Sequence, residues 1–454
     1  MNFFVKDKAF YRSFFTLTFV IALQNLIAFS VNLADSIMLG SYSEIALSGA
    51  AVCNQIQFLL QVCVNGIVTG LVVISAQYWG KKQTKPIKKT FAVAFWFAVT
   101  VSVALTVLCL FVPDGILRLI TNEEAVIAQG VEYLKIVCCS YVIFAITTVL
   151  LGALRSVETV KVGFWVSFLA LFVNVGLNYL LIYGKAGFSA MGIKGAALAT
   201  LLARVFELAA VSVYAALIDK KLKLRIKDIF SVEKSYILDF KKTGLPTVLS
   251  GTSWGIAMGV QGAILGRLGA STIAASSIAT TIFQVAVVVA GGSANASNII
   301  IGKAVGEGDL SKVKQYAKTM QVLFLGIGLG TSALLLAGKA FVIDLYNASA
   351  ETAALTGSFI LVLCVTVIGT AYQMPSLTGI VAGGGDTKFV LFNDIIFMWM
   401  MVLPLSAISA FILKLPVVVT FALLKSDQIA KCFVAVVKVN RFGWIRILTR
   451  KEAA

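Results

Sequence analysis

The feature that most constrains this chain is a succession of apolar runs, each long enough to cross a lipid bilayer. A transmembrane helix needs about 20 mostly apolar residues. Hydrophobic residues make up 59% of the chain and charged residues only 13%, which a water-soluble fold could not bury. We therefore predict an all-α polytopic membrane protein with twelve spans, at residues 14–34, 53–78, 91–112, 131–153, 162–183, 195–218, 243–265, 273–301, 319–338, 355–381, 389–411 and, with charged interruptions, 415–437. The first run is too long for a signal peptide core and is interrupted by Gln24 and Asn25, so we expect it to remain as a span.

The basic residues predict the orientation of these spans. If the N-terminus is cytoplasmic, 28 of the 38 lysine and arginine residues fall on the cytoplasmic side and six on the opposite side. An excess of positive charge in cytoplasmic loops is the usual pattern in membrane proteins. We therefore expect a multi-pass protein of the cell membrane with both termini in the cytoplasm. The formal charge of +17 then needs no nucleic-acid partner.

The two halves of the chain repeat one pattern. Three pairs of glycines recur at an offset of 226 residues, namely Gly40 and Gly266, Gly66 and Gly292, and Gly80 and Gly306. Six spans in each half would run the same way through the bilayer, as in transporters built from parallel repeats. We predict two pseudo-symmetric six-helix lobes, divided into an N-lobe at 1–218, a cytoplasmic linker at 219–242, a C-lobe at 243–437 and a basic cytoplasmic tail at 438–454.

Several classes of function are excluded by missing residues. The chain has no histidine, so catalysis by histidine and histidine-ligated metal sites are ruled out. The seven cysteines lie mostly in apolar runs without a C-x-x-C pair, and no phosphate-binding G-x-x-x-x-G-K-[ST] motif occurs. We therefore expect no enzyme activity, no metal site and no cofactor. Any transport must draw its energy from an ion gradient.

Polar residues inside the spans are the candidates for function, because they are costly in a membrane. Asp35 lies near the end of the first span, where it is either a solvated helix end or part of a site. Asn174 and Asn178 lie one turn apart on the fifth span and can serve either a ligand or contacts between helices. Thr200 in the sixth span could add a hydroxyl oxygen.

Other charged residues in the spans are predicted to pair. Arg204 and Glu207 lie three residues apart on one helix face, which favours a structural ion pair. Glu132 and Lys135 have the same spacing and are expected to pair as well. Asp394 near the start of the eleventh span is either an interfacial cap or a relay.

Five segments resemble motifs of the multidrug and toxic compound extrusion (MATE) family of transporters. They are Asp35–Gly40, Gly152–Arg155, Asn174–Gly184, Met191–Thr200 and Gly383–Lys388. The resemblance covers nearly the whole chain. It implies twelve helices in two six-helix lobes, and export of cationic, amphipathic compounds in exchange for Na⁺ or H⁺ by alternating access. It also implies a monomer whose partners are small molecules and the lipid bilayer.

The resemblance also assigns site residues. Asp35 occupies the position of the coupling acid, and Asn174, Asn178 and Thr200 complete the cation site of the N-lobe. Some relatives carry a second acid where this chain has Asn178, and many carry an acid in the seventh helix, where this chain has none. A second polar site in the C-lobe would then rest on Asp394 and Gln373. A carboxylate taken out of water favours a proton, whereas added oxygen ligands favour Na⁺, so the coupling ion stays open.

The closest alternative is a lipid-linked oligosaccharide flippase of the related superfamily. Its cavity should be strongly cationic in order to hold a diphosphate. Only Lys135 and Arg204 are basic residues within the spans of the first half, which favours the exporter.

Overall fold

The computed structural model describes residues 4–345 and 349–450, and its regular elements there are all helices. The first half contains α1 Lys8–Tyr42, α2 Glu44–Gly80, α3 Thr84–Phe111, α4 Pro113–Arg118, α5 Glu124–Val137, α6 Cys139–Ser156, α7 Lys161–Tyr183 and α8 Ile193–Val213. The second half contains α9 Ile226–Ile229, α10 Lys234–Gly266, α11 Ala270–Glu307, α12 Leu310–Leu345, α13 Ala350–Met374, α14 Thr387–Ile395, α15 Leu403–Ala407, α16 Val417–Leu424 and α17 Asp427–Arg441. Wider π-helical turns extend α8, α13, α14 and α15, at Tyr214–Ile218, Pro375–Val381, Ile396–Val402 and Ile408–Ile412.

Within the described residues, eleven helical segments are long and apolar enough to cross a membrane. The prediction of an all-α, multi-span membrane fold is therefore confirmed. The predicted twelfth span is instead divided into α16 and α17. The break falls at Lys425 and Ser426, and α17 carries Asp427 and Lys431 near its start. These charges remove the long apolar run that the other spans have.

The chain forms two compact units, and three of their four boundaries fall inside helices. The N unit comprises Leu23–Ser75 and Gln83–Val248, and the C unit comprises the residues up to Ala22, Ala76–Lys82 and the residues from Leu249 onward. The breaks after Ala22 and after Val248 are 226 residues apart, which is the offset of the repeated glycines. The first part of α1 thus belongs to the C unit, and the first part of α10 belongs to the N unit. The division into lobes at 1–218 and 243–437 stays a prediction.

Close helix contacts in the N unit depend on a repeated glycine. A β-carbon at Gly66 of α2 would lie 2.6 Å from the α-carbon of Val248 in α10. The Thr247 hydroxyl donates to the Gly66 carbonyl oxygen at 2.7 Å. Any larger side chain at position 66 would separate α2 from α10, because the neighbouring atoms are backbone.

The partner glycine has the same role in the C unit. A β-carbon at Gly292 of α11 would lie 2.6 Å from the carbonyl oxygen of Thr18 in α1. Gly306 approaches even closer, since its β-carbon would lie 1.9 Å from the carbonyl oxygen of Gln77. Two of the three repeated pairs, Gly66 with Gly292 and Gly80 with Gly306, therefore mark helix-crossing points, whereas Gly266 has open space around it.

The chain after α17 packs against the rest of the C unit. Trp444 is fully buried, and its ring lies against Gly384 in the turn before α14. The backbone N–H of Arg446 donates to the Gly384 carbonyl oxygen at 2.8 Å. Asp386 of the same turn pairs with Lys438 at 2.9 Å and with Arg446 at 3.0 Å. Two basic residues of the predicted tail, Lys438 and Arg446, are thus held by specific contacts.

Candidate functional site

Asp35 lies inside α1, where the helix continues for seven more residues to Tyr42. Its carboxylate accepts a hydrogen bond from the side-chain amide of Asn178 on α7. The same amide nitrogen also donates to the side-chain oxygen of Asn174 at 3.2 Å, and both asparagines are fully buried. The structure therefore brings together the acid and the asparagine pair. Asp35 is not a solvated helix end.

The turn between α7 and α8 brings Thr200 to the same region. Gly184 and Gly192 both have positive φ angles, of 66° and 54°, which glycine adopts without steric cost. A β-carbon at Gly195 would lie 2.6 Å from the backbone of Leu181, so α8 packs directly on α7. Thr200 follows about one and a half turns later and is buried.

Three buried polar atoms of this group lack a hydrogen-bond partner among the described residues. They are the side-chain nitrogen of Asn174, the side-chain oxygen of Asn178 and the hydroxyl of Thr200. A buried polar group without a partner costs about 1–3 kcal/mol. Carbonyl and hydroxyl oxygens next to a carboxylate are ligands that suit a hard cation. The group can therefore bind a small cation or an ordered water beside Asp35.

A cavity of about 160 Å³ extends from Asp35 through the N unit. Among the residues that the structure describes, four charged ones line it: Asp35, Arg155, Arg204 and Glu207. The predicted ion pair between Arg204 and Glu207 is confirmed, at 2.7 Å. Both residues also line the cavity, so the pair does more than join neighbouring turns of α8. The guanidinium group of Arg204 also lies over the ring of Phe144, 5.1 Å from its centroid.

The predicted pair between Glu132 and Lys135 is wrong. Glu132 instead pairs with Lys194 at 3.2 Å. Lys194 lies in the first turn of α8, which packs against α5. The contact between helices therefore replaces the contact along one helix.

In the C unit, the structure joins Asp394 to an ion-pair network rather than directly to Gln373. Asp394 accepts a hydrogen bond from Ser250 and pairs with Lys431 at 2.9 Å. Lys431 also pairs with Asp427 at 3.4 Å. The side chains of Lys431 and Asp427 are 5% and 2% exposed, so this is a buried network of two acids and one base. Asp394 is neither a cap nor an isolated acid.

Gln373 reaches that network through one further amide. It donates to the side-chain oxygen of Gln428 at 2.9 Å, and the nitrogen of Gln428 donates to Asp427 at 2.9 Å. The other oxygen of Asp427 has no partner in the described part of the chain. Asp427 and Lys431, with Lys425, are the charged interruptions of the twelfth span predicted from the sequence, which assigned them no further role. Their spacing of four residues in an apolar context was the signal for a buried pair.

Comparison with known proteins identifies the family. The MatE family model matches residues 21–180 and again residues 249–408. The uncharacterized transporter YisQ of Bacillus subtilis is 25% identical over 404 residues, which cover 88% of this chain and 87% of that protein. The probable multidrug resistance protein NorM of Photorhabdus laumondii is 26% identical over 87% of this chain and 86% of its own length.

Solved structures share the fold. An outward-facing multidrug resistance MATE family transporter of the MOP superfamily superposes with a TM-score of 0.85 at 20% identity, over 97% of this chain and 96% of that one. A MOP superfamily transporter from Pyrococcus furiosus gives the same score, identity and coverage. The two matches of the family model, one in each half, cover well over half of the chain. The chain belongs to the MATE family of transporters.

Proposed function

We propose that this chain exports small organic molecules in exchange for Na⁺ or H⁺, and that Asp35 is the residue that couples the two movements. The observation that carries the proposal is the buried group around Asp35. It combines one carboxylate, two amides and one hydroxyl, and three polar atoms of these amides and this hydroxyl have no hydrogen-bond partner in the part of the chain that the structure describes. Membership of the family, and relatives that are named probable multidrug resistance proteins, support the export of drugs.

Exchange follows if the ion and the substrate compete for one site. A proton or Na⁺ on Asp35 removes or balances its charge, which changes the hydrogen bond from Asn178 and the polarity of the cavity. The loaded and unloaded states then favour different conformations, because an ion shifts an equilibrium only through its different affinity for two states. In this scheme, ion entry releases the substrate outside, and ion release restores the substrate site inside.

The charges of the cavity disfavour the flippase alternative. Arg155 and Arg204 are balanced there by Asp35 and Glu207. A site for a lipid-linked diphosphate needs an excess of positive charge, which these side chains do not supply. Cationic, amphipathic compounds are the substrate class that the family resemblance implies, and that class stays a prediction.

We further propose a defined orientation in the membrane and a functional monomer. Both termini are cytoplasmic, as the distribution of basic residues favours. The protein acts in the cell membrane, and a single chain contains the whole Asp35 group, so a monomer is sufficient for coupling.

Asp35→Asn tests the proposal directly. The amide keeps the size of the side chain but neither takes up a proton nor offers a charge to Na⁺. In proteoliposomes with an imposed Na⁺ or pH gradient, we expect the variant to lose gradient-driven uptake of a cationic dye while eluting normally in size-exclusion chromatography. Asp114→Asn is the matched control, because that acid pairs with Arg118 at an exposed site outside the cavity. Gradient-driven uptake by Asp35→Asn at the rate of the control would refute the assignment.

A further inference from the structure

The cavity of the N unit has a wall of side-chain amides that the coupling reaction does not use. Asn54, Gln57, Gln61 and Asn65 of α2 all line it. They are spaced three, four and four residues apart, so they form one stripe along a single face of the helix. Amides at this spacing are unusual in a membrane-spanning helix, since each one must be paired or hydrated.

Helix α1 adds three more amides, from Gln24, Asn25 and Asn32. The structure gives none of the seven amide groups a hydrogen-bond partner within its described residues. A glycine leaves room for one of them, because a β-carbon at Gly163 would lie 2.9 Å from both the nitrogen and the oxygen of the Gln24 amide. These donors and acceptors are therefore available to a ligand.

The charges and aromatic rings of the cavity are poorly suited to an organic cation. The two acids, Asp35 and Glu207, are balanced by Arg155 and Arg204. The only aromatic rings in this wall of described residues are those of Tyr133 and Phe144. Tyr133 is almost completely buried, and the face of Phe144 is already covered by the guanidinium group of Arg204. Neither ring therefore offers an open face that could bind an organic cation.

We infer that this cavity selects substrates by their hydroxyl and amide groups, and that it binds uncharged, hydrogen-bonding molecules in preference to apolar cations. The inference rests on the proposed export function and narrows its substrate class away from the cationic one. Each amide offers both a donor and an acceptor, and a ligand without polar groups would leave them unpaired. With a volume of about 160 Å³, the cavity takes the polar part of a drug-sized molecule.

The test compares two probes on the purified protein by equilibrium dialysis. Chloramphenicol is neutral and carries two hydroxyls and an amide, whereas tetraphenylphosphonium is a cation without hydrogen-bonding groups. We expect wild type to bind chloramphenicol at least tenfold more tightly. Gln57→Leu should weaken chloramphenicol binding by about fivefold, the value of one ordinary hydrogen bond, and should leave tetraphenylphosphonium binding unchanged or tighter.

Gln55→Leu is the matched control, because Gln55 is an exposed amide of the same helix outside the cavity wall. It should change the binding of neither probe. The inference is overturned if tetraphenylphosphonium binds as tightly as chloramphenicol, if chloramphenicol does not bind, or if both glutamine variants behave alike. Because dialysis needs no gradient, failure of the export function appears separately, as intact binding without gradient-driven uptake. Failure of the inference leaves uptake of the cationic probe intact.

Discussion

Replacing Lys431 by methionine should destabilise the protein strongly. Its ammonium group lies 2.9 Å from an oxygen of Asp394 and 3.4 Å from an oxygen of Asp427. Only 5% of the lysine side chain is exposed. Methionine fills much of the same volume but leaves two neighbouring carboxylates without their cation. One of them, Asp427, is itself almost fully buried.

The magnitude follows from these distances. With an effective dielectric constant of about 20, the attraction at 2.9 Å is about 6 kcal/mol and that at 3.4 Å about 5 kcal/mol. The variant no longer has to bury an ammonium group, and the desolvation free energy saved in this way offsets several kcal/mol of the lost attraction. The two carboxylates, however, are left without a compensating charge. We expect a net loss of about 3–5 kcal/mol in the free energy of unfolding at neutral pH.

Denaturant unfolding in detergent micelles, followed by tryptophan fluorescence, measures this loss. Lys312→Met is the matched control, because that lysine pairs with Glu307 at a partly exposed site, and it should lose less than about 1 kcal/mol. Adding Asp394→Asn and Asp427→Asn to the Lys431 variant should restore most of the stability, because no unpaired charge remains. If Lys431→Met loses no more than the control, the buried carboxylates do not depend on the ammonium group and the reasoning is refuted.

Three further predictions concern the coupling ion, the orientation and a helix crossing. Asn178→Ala should weaken the dependence of transport on Na⁺ more than its dependence on protons, because protonation of a carboxylate needs no further oxygen ligand; identical Na⁺ curves at fixed pH would remove Asn178 from the site. A cysteine at Gln83, in a background without reactive native thiols, should resist a membrane-impermeant thiol reagent in intact cells, and rapid labelling from outside would reverse the topology. Gly306→Ala should cost about 1–3 kcal/mol, because its β-carbon would lie 1.9 Å from the carbonyl oxygen of Gln77, whereas Gly326→Ala has open space and should melt at or above the wild-type temperature.

The group around Asp35 was largely predictable from the sequence. The asparagine pair is a local pattern on one helix, and the resemblance to a known family linked it to Asp35 and Thr200. The contact of Asn178 with Asp35 was not predictable, because it depends on how closely α1 approaches α7. Pairing rules along one helix identified the ion pair of Arg204 and Glu207 but not its position on the cavity wall.

The network in the C unit was predicted less well. Hydropathy identified Asp394 as costly in a membrane, yet its partner Lys431 lies 37 residues away on another helix. Similarly, Glu132 pairs with Lys194 rather than with the lysine one turn along its own helix. In both cases the choice of partner depends on which helices pack together, and sequence spacing carries no information about that.

By itself, the sequence determined that this chain is a helical membrane protein with two repeated halves and an ion-coupled rather than ATP-driven type of transport. The first two conclusions depend on quantities that add up along the chain, namely apolar length and repeated glycines, and the third depends on the absence of a phosphate-binding motif from the sequence. Only the tertiary structure decided which buried charges neutralise each other, which polar atoms remain unpaired and which helix faces line a cavity. These features depend on the approach of distant helices, and a difference of one ångström there decides whether two groups form a hydrogen bond.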